Sequence, residues 1–245
     1  MSEEKKFTLT EHIRELRRRV MRSAIVFAVT TGLSFTFTQY IFNAMLRSKP
    51  AEIPLIYTEL AENVGVYIKV ALMSGFVIAL PYMIVELILF IAPGLRPKER
   101  KFMFAFVPSA LCLFAAGAAF GYFVLLPPAI NFLFTFGTEI ATPYIRVSNY
   151  IDVISRLLFW LGIIFEVPLI AFLLAKMRVI GPRTLDKYRR HAIVVAFIAS
   201  AIITPTMDPV NQTLLAVPLI VLYEASIWLA KLAHRTSHAK PAVSV

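Results

Sequence analysis

The chain has 245 residues, of which 58% are hydrophobic and 16% are charged, and its mean hydropathy is +0.72. A water-soluble domain has a smaller apolar share and spreads its charges along the whole chain, so this composition excludes a soluble protein and indicates a polytopic membrane protein. The net charge of +10 does not indicate nucleic-acid binding, because the basic residues flank apolar runs, where they meet anionic lipid headgroups.

The first predicted element is an amphipathic helix over residues 9–20, within a cytoplasmic N-terminus that spans residues 1–22. Thr8 and Glu11 have the spacing of a capping box, in which the N-cap hydroxyl and the N3 carboxylate bond each other's backbone N–H groups. Apolar residues three or four positions apart follow on one face, while arginines mostly occupy the other faces. Such a helix is expected to lie on the membrane surface.

Six apolar segments follow, at about residues 23–42, 66–92, 102–126, 151–175, 191–204 and 210–230. A helix needs about twenty residues to cross the ~30 Å hydrocarbon layer, and the first four segments are long enough. The fifth would cover only ~21 Å and the sixth is slightly short, which predicts local thinning of the bilayer. The sequence therefore predicts an all-α membrane protein with a six-helix transmembrane domain over residues 23–230. A re-entrant hairpin over residues 191–230, with four spans, is the open alternative.

The lysines and arginines predict the orientation. Twenty of them lie in the N-terminal tail, in the two loops 93–101 and 176–190, and in the tail 231–245. The alternate connections contain only three, Arg47, Lys49 and Arg146. By the positive-inside rule both termini are cytoplasmic, and the expected location is a bacterial inner membrane. The four-span alternative gives the same orientation of the ends.

Prolines interrupt most of the predicted spans. Each removes one backbone donor and favours a kink, so the spans are predicted to form a concave bundle of kinked helices, although membrane helices also tolerate proline without any functional reason. The four prolines are Pro81, Pro108, Pro168 and Pro218.

No set of residues indicates catalysis. There is no phosphate-binding loop, no HExxH and no GxSxG, and the single cysteine, Cys112, excludes an internal disulfide or a zinc site built from several cysteines. We expect neither an enzyme nor a cofactor or metal.

Acidic residues are the informative polar groups. Glu166 is predicted to lie ~14 Å inside the apolar layer, whereas Glu86 and Glu224 lie nearer the cytoplasmic boundary. An ionised carboxylate at such depth needs a partner, a water-filled cavity or a bound proton, so Glu166 is either a functional residue or a protonated acid bonded between helices. Glu15 and Glu99 stand among arginines on the predicted cytoplasmic face. They would either bind the guanidinium groups of a ligand or pair with those neighbouring arginines.

Motifs along nearly the whole chain, in the right order, resemble one family, the TatC subunit of the twin-arginine translocase. They comprise H-x-x-E-L-R-x-R at 12–19, F-I-A-P-G-L at 90–95 followed by Glu99-Arg100, F-x-x-G-x-x-F-G-Y-F at 114–123, F-E-V-P at 165–168, I-T-P at 203–205, and Q-T-L-L-A-x-P at 212–218 with Tyr223-Glu224.

The resemblance implies a receptor for folded precursors whose signal peptides contain two consecutive arginines. It assigns signal-peptide binding to Glu15, Arg17, Phe90 and Glu99. Further implied partners are the lipid bilayer, single-span subunits of the TatA and TatB types that dock along the fifth and sixth spans, and other copies of the receptor. Export would be driven by the proton gradient with no cofactor.

Partner coupling inside the membrane is the second implied role. The resemblance assigns it to Glu166, and Asp208 and Gln212, which flank the last outer turn, are either part of the same set or solvated turn residues. The competing hypothesis is a proton-coupled secondary transporter that uses Glu166. A transporter should show paired broken segments or an internal repeat, and the sequence has neither.

Overall fold

Helices form almost the whole of the described structure, because the hydrocarbon layer offers no water to backbone N–H and C=O groups and a helix satisfies them internally. The structure is a computed structural model that describes residues 9–47, 55–91, 97–135, 144–176, 179–204 and 208–238. Its elements in chain order are α1 (Leu9–Ser34), α2 (Thr38–Leu46), β1 (Leu55–Ile56), α3 (Glu62–Ile91), α4 (Pro97–Phe120), a π-helical turn (Gly121–Leu125), α5 (Leu126–Thr135), β2 (Ile145–Arg146), α6 (Val147–Phe165), α7 (Val167–Lys176), α8 (Pro182–Lys187), α9 (Arg189–Ile203) and α10 (Pro209–His238).

Within the described ranges, four helical stretches are long and apolar enough to cross a membrane, and α1 with α2 makes a fifth if the bent pair is one span. The predicted class, a helical polytopic membrane protein, is confirmed at this level, whereas the six spans and the orientation of the termini stay predictions. The predicted fifth segment corresponds to α9, which has 15 residues and covers only ~22 Å. The prediction that the sixth segment is also short is wrong, because α10 has 30 residues and its apolar stretch of 25 residues is long enough to span. The four stretches are Glu62–Phe90, Phe106–Thr135, Val147–Lys176 and Pro209–Ala233.

Helix α1 continues through the predicted boundary between the surface helix and the first span. No glycine or proline occurs between residues 9 and 31, so nothing in the backbone interrupts the helix there. It ends instead at Ser34, and α2 departs at 72° after a three-residue turn. In that turn Phe37 N donates to Ser34 O over 3.0 Å, a tightened i→i−3 bond. The sequence does not predict this bend, because it contains no proline.

The predicted proline effect is visible at one position. Pro168 has no N–H to donate to Ile164 O, and the helix breaks two residues earlier, at Glu166, between α6 and α7. Glu166 N donates to Ile163 O over 3.0 Å at the break. The other three predicted prolines lie inside continuous helices, Pro81 in α3, Pro108 in α4 and Pro218 in α10.

The structure divides into two compact units, of which unit 1 comprises residues 1–42 and 67–111. In its described part α1 packs antiparallel against α3. Thr30 Oγ1 donates to Gly75 O over 2.9 Å, and the hydroxyls of Ser34 and Ser74 are hydrogen-bonded to each other. The two helices approach so closely that a Cβ on Gly75 would lie 2.6 Å from the Cα of Thr31. Glycine and hydroxyl residues therefore hold this crossing together, as is common between helices in lipid.

Unit 2 comprises residues 43–66 and 112–245 and contains the larger apolar core. Residues of the π-helical turn, α6, α9 and α10 meet there and are almost fully buried. This core cluster consists of Leu125, Leu157, Leu161, Ala196, Ile203, Leu215 and Leu219.

A polar contact in unit 2 joins the start of α3 to the start of α6. Glu62 accepts hydrogen bonds from the backbone N–H groups of Thr58 and Ser148, at 2.9 and 3.0 Å, and from Arg146 at 3.3 Å. Hydrogen bonding to Glu62 raises the pKa of Arg146, so this guanidinium stays charged. Beside it β1 and β2 pair in parallel, with Leu55 opposite Ile145. The connection before α3 and the connection before α6 thus meet at Glu62, both of whose carboxylate oxygens accept hydrogen bonds.

Gly117 of α4 marks a second close helix crossing. A Cβ at this position would lie 2.6 Å from the backbone oxygen of Leu161 in α6, whereas a Cβ on Gly32 of α1 would meet nothing within 4 Å. We expect Gly117→Ala to lower the free energy of unfolding by about 1–3 kcal/mol, because a backbone atom cannot move aside as a side chain does.

Gly32→Ala is the matched control for that substitution. It adds the same methyl group to an open helical position, so its effect should be neutral or favourable by up to about 1 kcal/mol. Thermal unfolding of both variants in detergent measures the difference. Equal midpoints for the two variants would contradict the close crossing.

Candidate functional site

One guanidinium lies between two carboxylates in unit 1, and we call this group, Glu15, Arg19, Arg22, Tyr82 and Glu86, the Arg19 cluster. Arg19 donates from Nη2 and Nε to Glu15 Oε1, at 2.5 and 3.1 Å. Its Nη1 donates to Glu86 Oε2 over 2.9 Å. The Arg19 side chain is 18% exposed and that of Glu86 only 7%. These are charge-assisted bonds in a mostly buried setting, the stronger class of hydrogen bond.

The second oxygen of Glu86 is also satisfied. Tyr82 donates its hydroxyl to Oε1 over 2.8 Å, and Arg22 lies 3.8 Å from the same oxygen. Glu86 thus has a tyrosine and a second arginine besides Arg19. A buried carboxylate without such partners would be strongly destabilising.

Helical spacing explains how the sequence builds the cluster. Glu15 and Arg19 are four residues apart on α1, with Arg22 three further on, so the three side chains share one face. Tyr82 and Glu86 are likewise four apart on α3. The antiparallel packing of α1 on α3 brings the two faces together.

The structure places the four predicted signal-binding residues differently. Glu15 belongs to the Arg19 cluster, and Phe90 is half-buried one helical turn beyond Glu86 on α3. Arg17 is exposed and makes no ion pair within the described ranges. Glu99 lies on α4, but its side chain is outside the described residues. Of the two alternatives for Glu15, pairing with a neighbouring arginine is the one present here.

This arrangement holds the guanidinium group of Arg19. Two carboxylates on neighbouring helices accept N–H donors from different edges of one planar fork, which an ammonium group does not match. Among the described residues no group of three or more histidine, cysteine or acidic side chains is positioned to bind a metal ion. The cluster therefore pairs the two carboxylates with arginines of the chain itself.

Glu166 has a different environment in unit 2. It caps α6 at the break before α7, and its Oε1 is buried with no hydrogen-bond partner in the described part of the chain. Glu224, another acid of a predicted unit-2 span, bonds Arg189 at 3.0 Å and is 40% exposed. Burial of an unbonded polar oxygen costs free energy that a neutral packing residue would not. Glu166 therefore stands out among the predicted intramembrane acids.

Asp208 and Gln212 have local structural partners. Asp208 caps α10, accepting from Asn211 N at 2.8 Å and from Asn211 Nδ2 at 2.9 Å. Gln212 donates from Nε2 to Phe197 O over 3.1 Å, which links α10 to α9. Asp208 thus caps α10, and Gln212 joins α10 to α9.

Helix α9 presents a mostly exposed apolar side. Val194, Val195, Ile198 and Ile202 are between 55% and 67% exposed, and Gln212 lines a shallow groove along Ile198 and Ile202. A second apolar groove, of about 370 Å³, lies between α9, α10 and the residues on both sides of Glu166.

Sequence reasoning missed the central position of Arg19 and its bond to Glu86. The spacing of Glu15 and Arg19 is a readable signal, since acid–base pairs four residues apart interact on a helix. The bond from Arg19 to Glu86 connects residues 67 positions apart and has no sequence signal of its own.

Comparison with known proteins gives a consistent match. Residues 11–218 match the family described as Sec-independent protein translocase protein (TatC). A relative of that name from Aquifex aeolicus is 40% identical over 93% of this chain and 96% of its own length. Another from Carboxydothermus hydrogenoformans is 35% identical over 94% of this chain and 95% of its own length.

Two solved structures resemble this fold. One, a crystal structure of the twin arginine translocase receptor TatC, is 40% identical, with a TM-score of 0.79 over 91% of this chain and 99% of that one. The second, the same receptor in DDM, is 38% identical, with a TM-score of 0.81 over 90% and 99%.

The contrast between Glu166 and Glu62 gives a stability prediction. Glu166→Leu should leave the free energy of unfolding unchanged within about 0.5 kcal/mol or raise it, because the buried Oε1 bonds nothing in the described residues and the loss of its desolvation cost offsets the loss of the carboxylate's bond to the Phe114 backbone. Glu62→Leu removes the acceptor of two backbone N–H groups, those of Thr58 and Ser148, and leaves Arg146 with Glu59 as its carboxylate in the described residues, so it should lower the unfolding midpoint clearly. Thermal unfolding in detergent compares the two leucine variants directly. A loss at Glu166 as large as that at Glu62 would show that Glu166 is a structural residue.

Proposed function

Because this chain belongs to the TatC family, we propose that it is the receptor subunit of a twin-arginine translocase, which binds signal peptides with two consecutive arginines on the cytoplasmic side. Family membership makes it a membrane component of a protein translocation system and not an enzyme. The observation that carries the proposed receptor role is the Arg19 cluster, in which Glu15 already accepts two N–H bonds from a guanidinium.

In this proposal Glu15 and Glu99 each bind one arginine of the signal peptide. Glu15 is 24% exposed, so its carboxylate is accessible from one side. Phe90 offers apolar contact to residues that flank the arginine pair, which its half-buried position on α3 supports. Arg17, which is exposed on α1, orients a carboxylate and does not contact the ligand itself.

The proposed topology has six spans with both termini in the cytoplasm of a bacterial cell. The excess of lysine and arginine in alternate connections supports it, as does the length of the four long stretches. Helix α9 would then be the fifth span. Since it has only 15 residues, the bilayer beside it must thin by several ångströms, at about 1.5 Å of helix per missing residue.

We further propose that single-span subunits of the TatA and TatB types dock along α9 and α10, and that the proton gradient drives export. The exposed aliphatic residues of α9 support this, because a transmembrane helix offers a matching apolar partner. Glu166 would supply a polar group for that coupling, since its Oε1 has no bond within the described residues. Membership of the TatC family favours protein translocation over the alternative, a proton-coupled secondary transporter.

The first test is binding of a labelled signal peptide to the purified chain in detergent. A peptide with the arginine pair should bind about tenfold or more tightly than its lysine-pair variant, because the forked guanidinium matches a carboxylate that the ammonium group meets only as a point charge. Glu15→Gln and Glu99→Gln should each remove most of that preference. Fluorescence anisotropy at constant ionic strength gives the affinities.

Arg14→Gln is the control for those glutamine variants. Arg14 lies on α1, is exposed and forms no ion pair in the described structure, so its loss should leave the preference for the arginine pair intact. Equal binding of both peptides by the unmodified chain would contradict the receptor proposal.

The second test concerns the six spans. In a chain whose native cysteine is removed by Cys112→Ala, Val210→Cys should react with a membrane-impermeant thiol reagent added outside intact cells. Val210 is the second residue of α10 and is 77% exposed, and in the six-span topology it lies at the outer end of that helix.

Lys187→Cys on α8, in a connection rich in basic residues, is the matched internal position and should react only after the membrane is permeabilised. Reaction of Val210→Cys only from the inside would favour the four-span alternative with a re-entrant hairpin.

A further inference from the structure

Glu15, the residue proposed to receive a signal-peptide arginine, is already bonded to a guanidinium of its own chain. Arg19 places two N–H donors on Glu15 Oε1, at 2.5 and 3.1 Å. An arriving arginine therefore meets a carboxylate engaged by a group of its own chemistry. Binding at Glu15 is an exchange of one guanidinium for another.

Glu86 makes such an exchange energetically feasible. Arg19 is 18% exposed, so removing all of its acceptors would leave a largely buried, unpaired charge, which is strongly unfavourable. Its Nη1 bond to Glu86, at 2.9 Å, does not involve Glu15 and can persist when Glu15 is taken by the ligand. Arg19 then moves from two carboxylates to one.

Glu86 is held in place independently of Glu15. The Tyr82 hydroxyl bonds its Oε1 at 2.8 Å, and Arg22 is the nearest further cation at 3.8 Å. Glu86 is also 7% exposed on its own helix, α3, so it is a poor contact for an outside ligand. It is positioned to hold Arg19, not to hold the signal peptide.

We propose that Arg19 is an internal competitor that occupies Glu15 in the absence of a signal peptide, and that Glu86 is the positioning residue that retains Arg19 while the signal peptide occupies Glu15. The inference rests on the proposed receptor function. The competition makes binding more selective, because a ligand binds Glu15 only if it replaces the forked, charge-assisted bonds that Arg19 makes there. A lysine pair supplies the charge without the fork and displaces Arg19 poorly.

The exchange predicts effects of opposite sign from the two members of one ion pair. Arg19→Gln removes the competitor and should tighten binding of the arginine-pair peptide by about threefold or more, the scale of a partly exposed ion pair. Glu86→Gln leaves only a neutral amide oxygen as the alternative acceptor for Arg19, so Arg19 is held more firmly by Glu15 and peptide binding should weaken about threefold. The double variant should bind like Arg19→Gln, since Glu86 acts only through Arg19.

Arg18→Gln is the control for the loss of one positive charge. Arg18 precedes Arg19 on α1, is exposed and makes no ion pair in the described ranges, so its substitution removes the same charge without touching Glu15. A general decrease of positive charge would strengthen binding of any cationic peptide equally in both variants. The rise in Arg19→Gln must therefore exceed that in Arg18→Gln.

Peptide affinities are measured by anisotropy with the full chain in detergent, with the unfolding midpoint of each variant recorded beside them. The double variant removes both charges and tests the competitor role without stranding Glu86. Weaker binding by Arg19→Gln and by the double variant, or effects no different from Arg18→Gln, would overturn the exchange. If Glu15→Gln still abolishes the arginine preference in that case, the receptor proposal survives. If Glu15→Gln leaves the preference for the arginine-pair peptide unchanged, both the exchange and the receptor proposal are overturned.

Discussion

A hydrocarbon layer contains no water to hydrogen-bond a polar group, so every N–H, C=O and charge placed in it must find a partner within the protein or among its ligands. This constraint explains why helices dominate the described chain and why they meet at glycines and hydroxyl side chains. It also makes each acid in an apolar segment informative. Glu86 and Glu224 satisfy the constraint with arginines, and Glu62 does so with backbone N–H groups and Arg146.

Glu166, at the break between α6 and α7, satisfies it only in part. The backbone of Glu166 stays helical and its carbonyl accepts a bond from Ile170 N over 2.9 Å, while its side-chain Oε1 is buried without a partner in the described residues. The buried, unbonded oxygen of Glu166 costs free energy that a leucine at the same position would not cost. Sites at which local rules are violated without compensation are where function is most often found.

In the Arg19 cluster, Arg19 and Glu86 each have more than one partner of opposite charge or hydrogen-bonding type. One guanidinium holds two carboxylates, and one of those carboxylates has two additional partners, so the group can lose a contact without leaving a buried charge unpaired. A signal-peptide arginine of the proposed kind would replace a contact of its own chemistry. Recognition would then depend on exchange between near-equivalent bonds, which favours selectivity over raw affinity.

Sequence patterns anticipated the long spans and the isolation of Glu166 in an apolar segment, because both follow from local composition over about twenty residues. They did not anticipate the 72° bend after Ser34, where no proline stands and the chain tightens through i→i−3 bonds. Nor did they anticipate the continuity of α1 beyond residue 20. The helical hydrogen bonds of α1 are the same at the membrane surface and in lipid. The change in composition after residue 20 therefore marks a change of surroundings and not the end of the helix.

The sequence by itself determined that this is a helical membrane protein of the TatC family, since hydrophobic length, the distribution of basic residues and ordered motifs are properties of the chain alone. It also placed Glu15 beside Arg19, because four residues make one helical turn. Only the tertiary structure decided that Arg19 reaches Glu86, 67 positions away. It also decided that both oxygens of Glu62 accept hydrogen bonds, while Oε1 of Glu166 accepts none in the described residues. Those outcomes depend on which helix faces meet, and many side chains acting together set that packing.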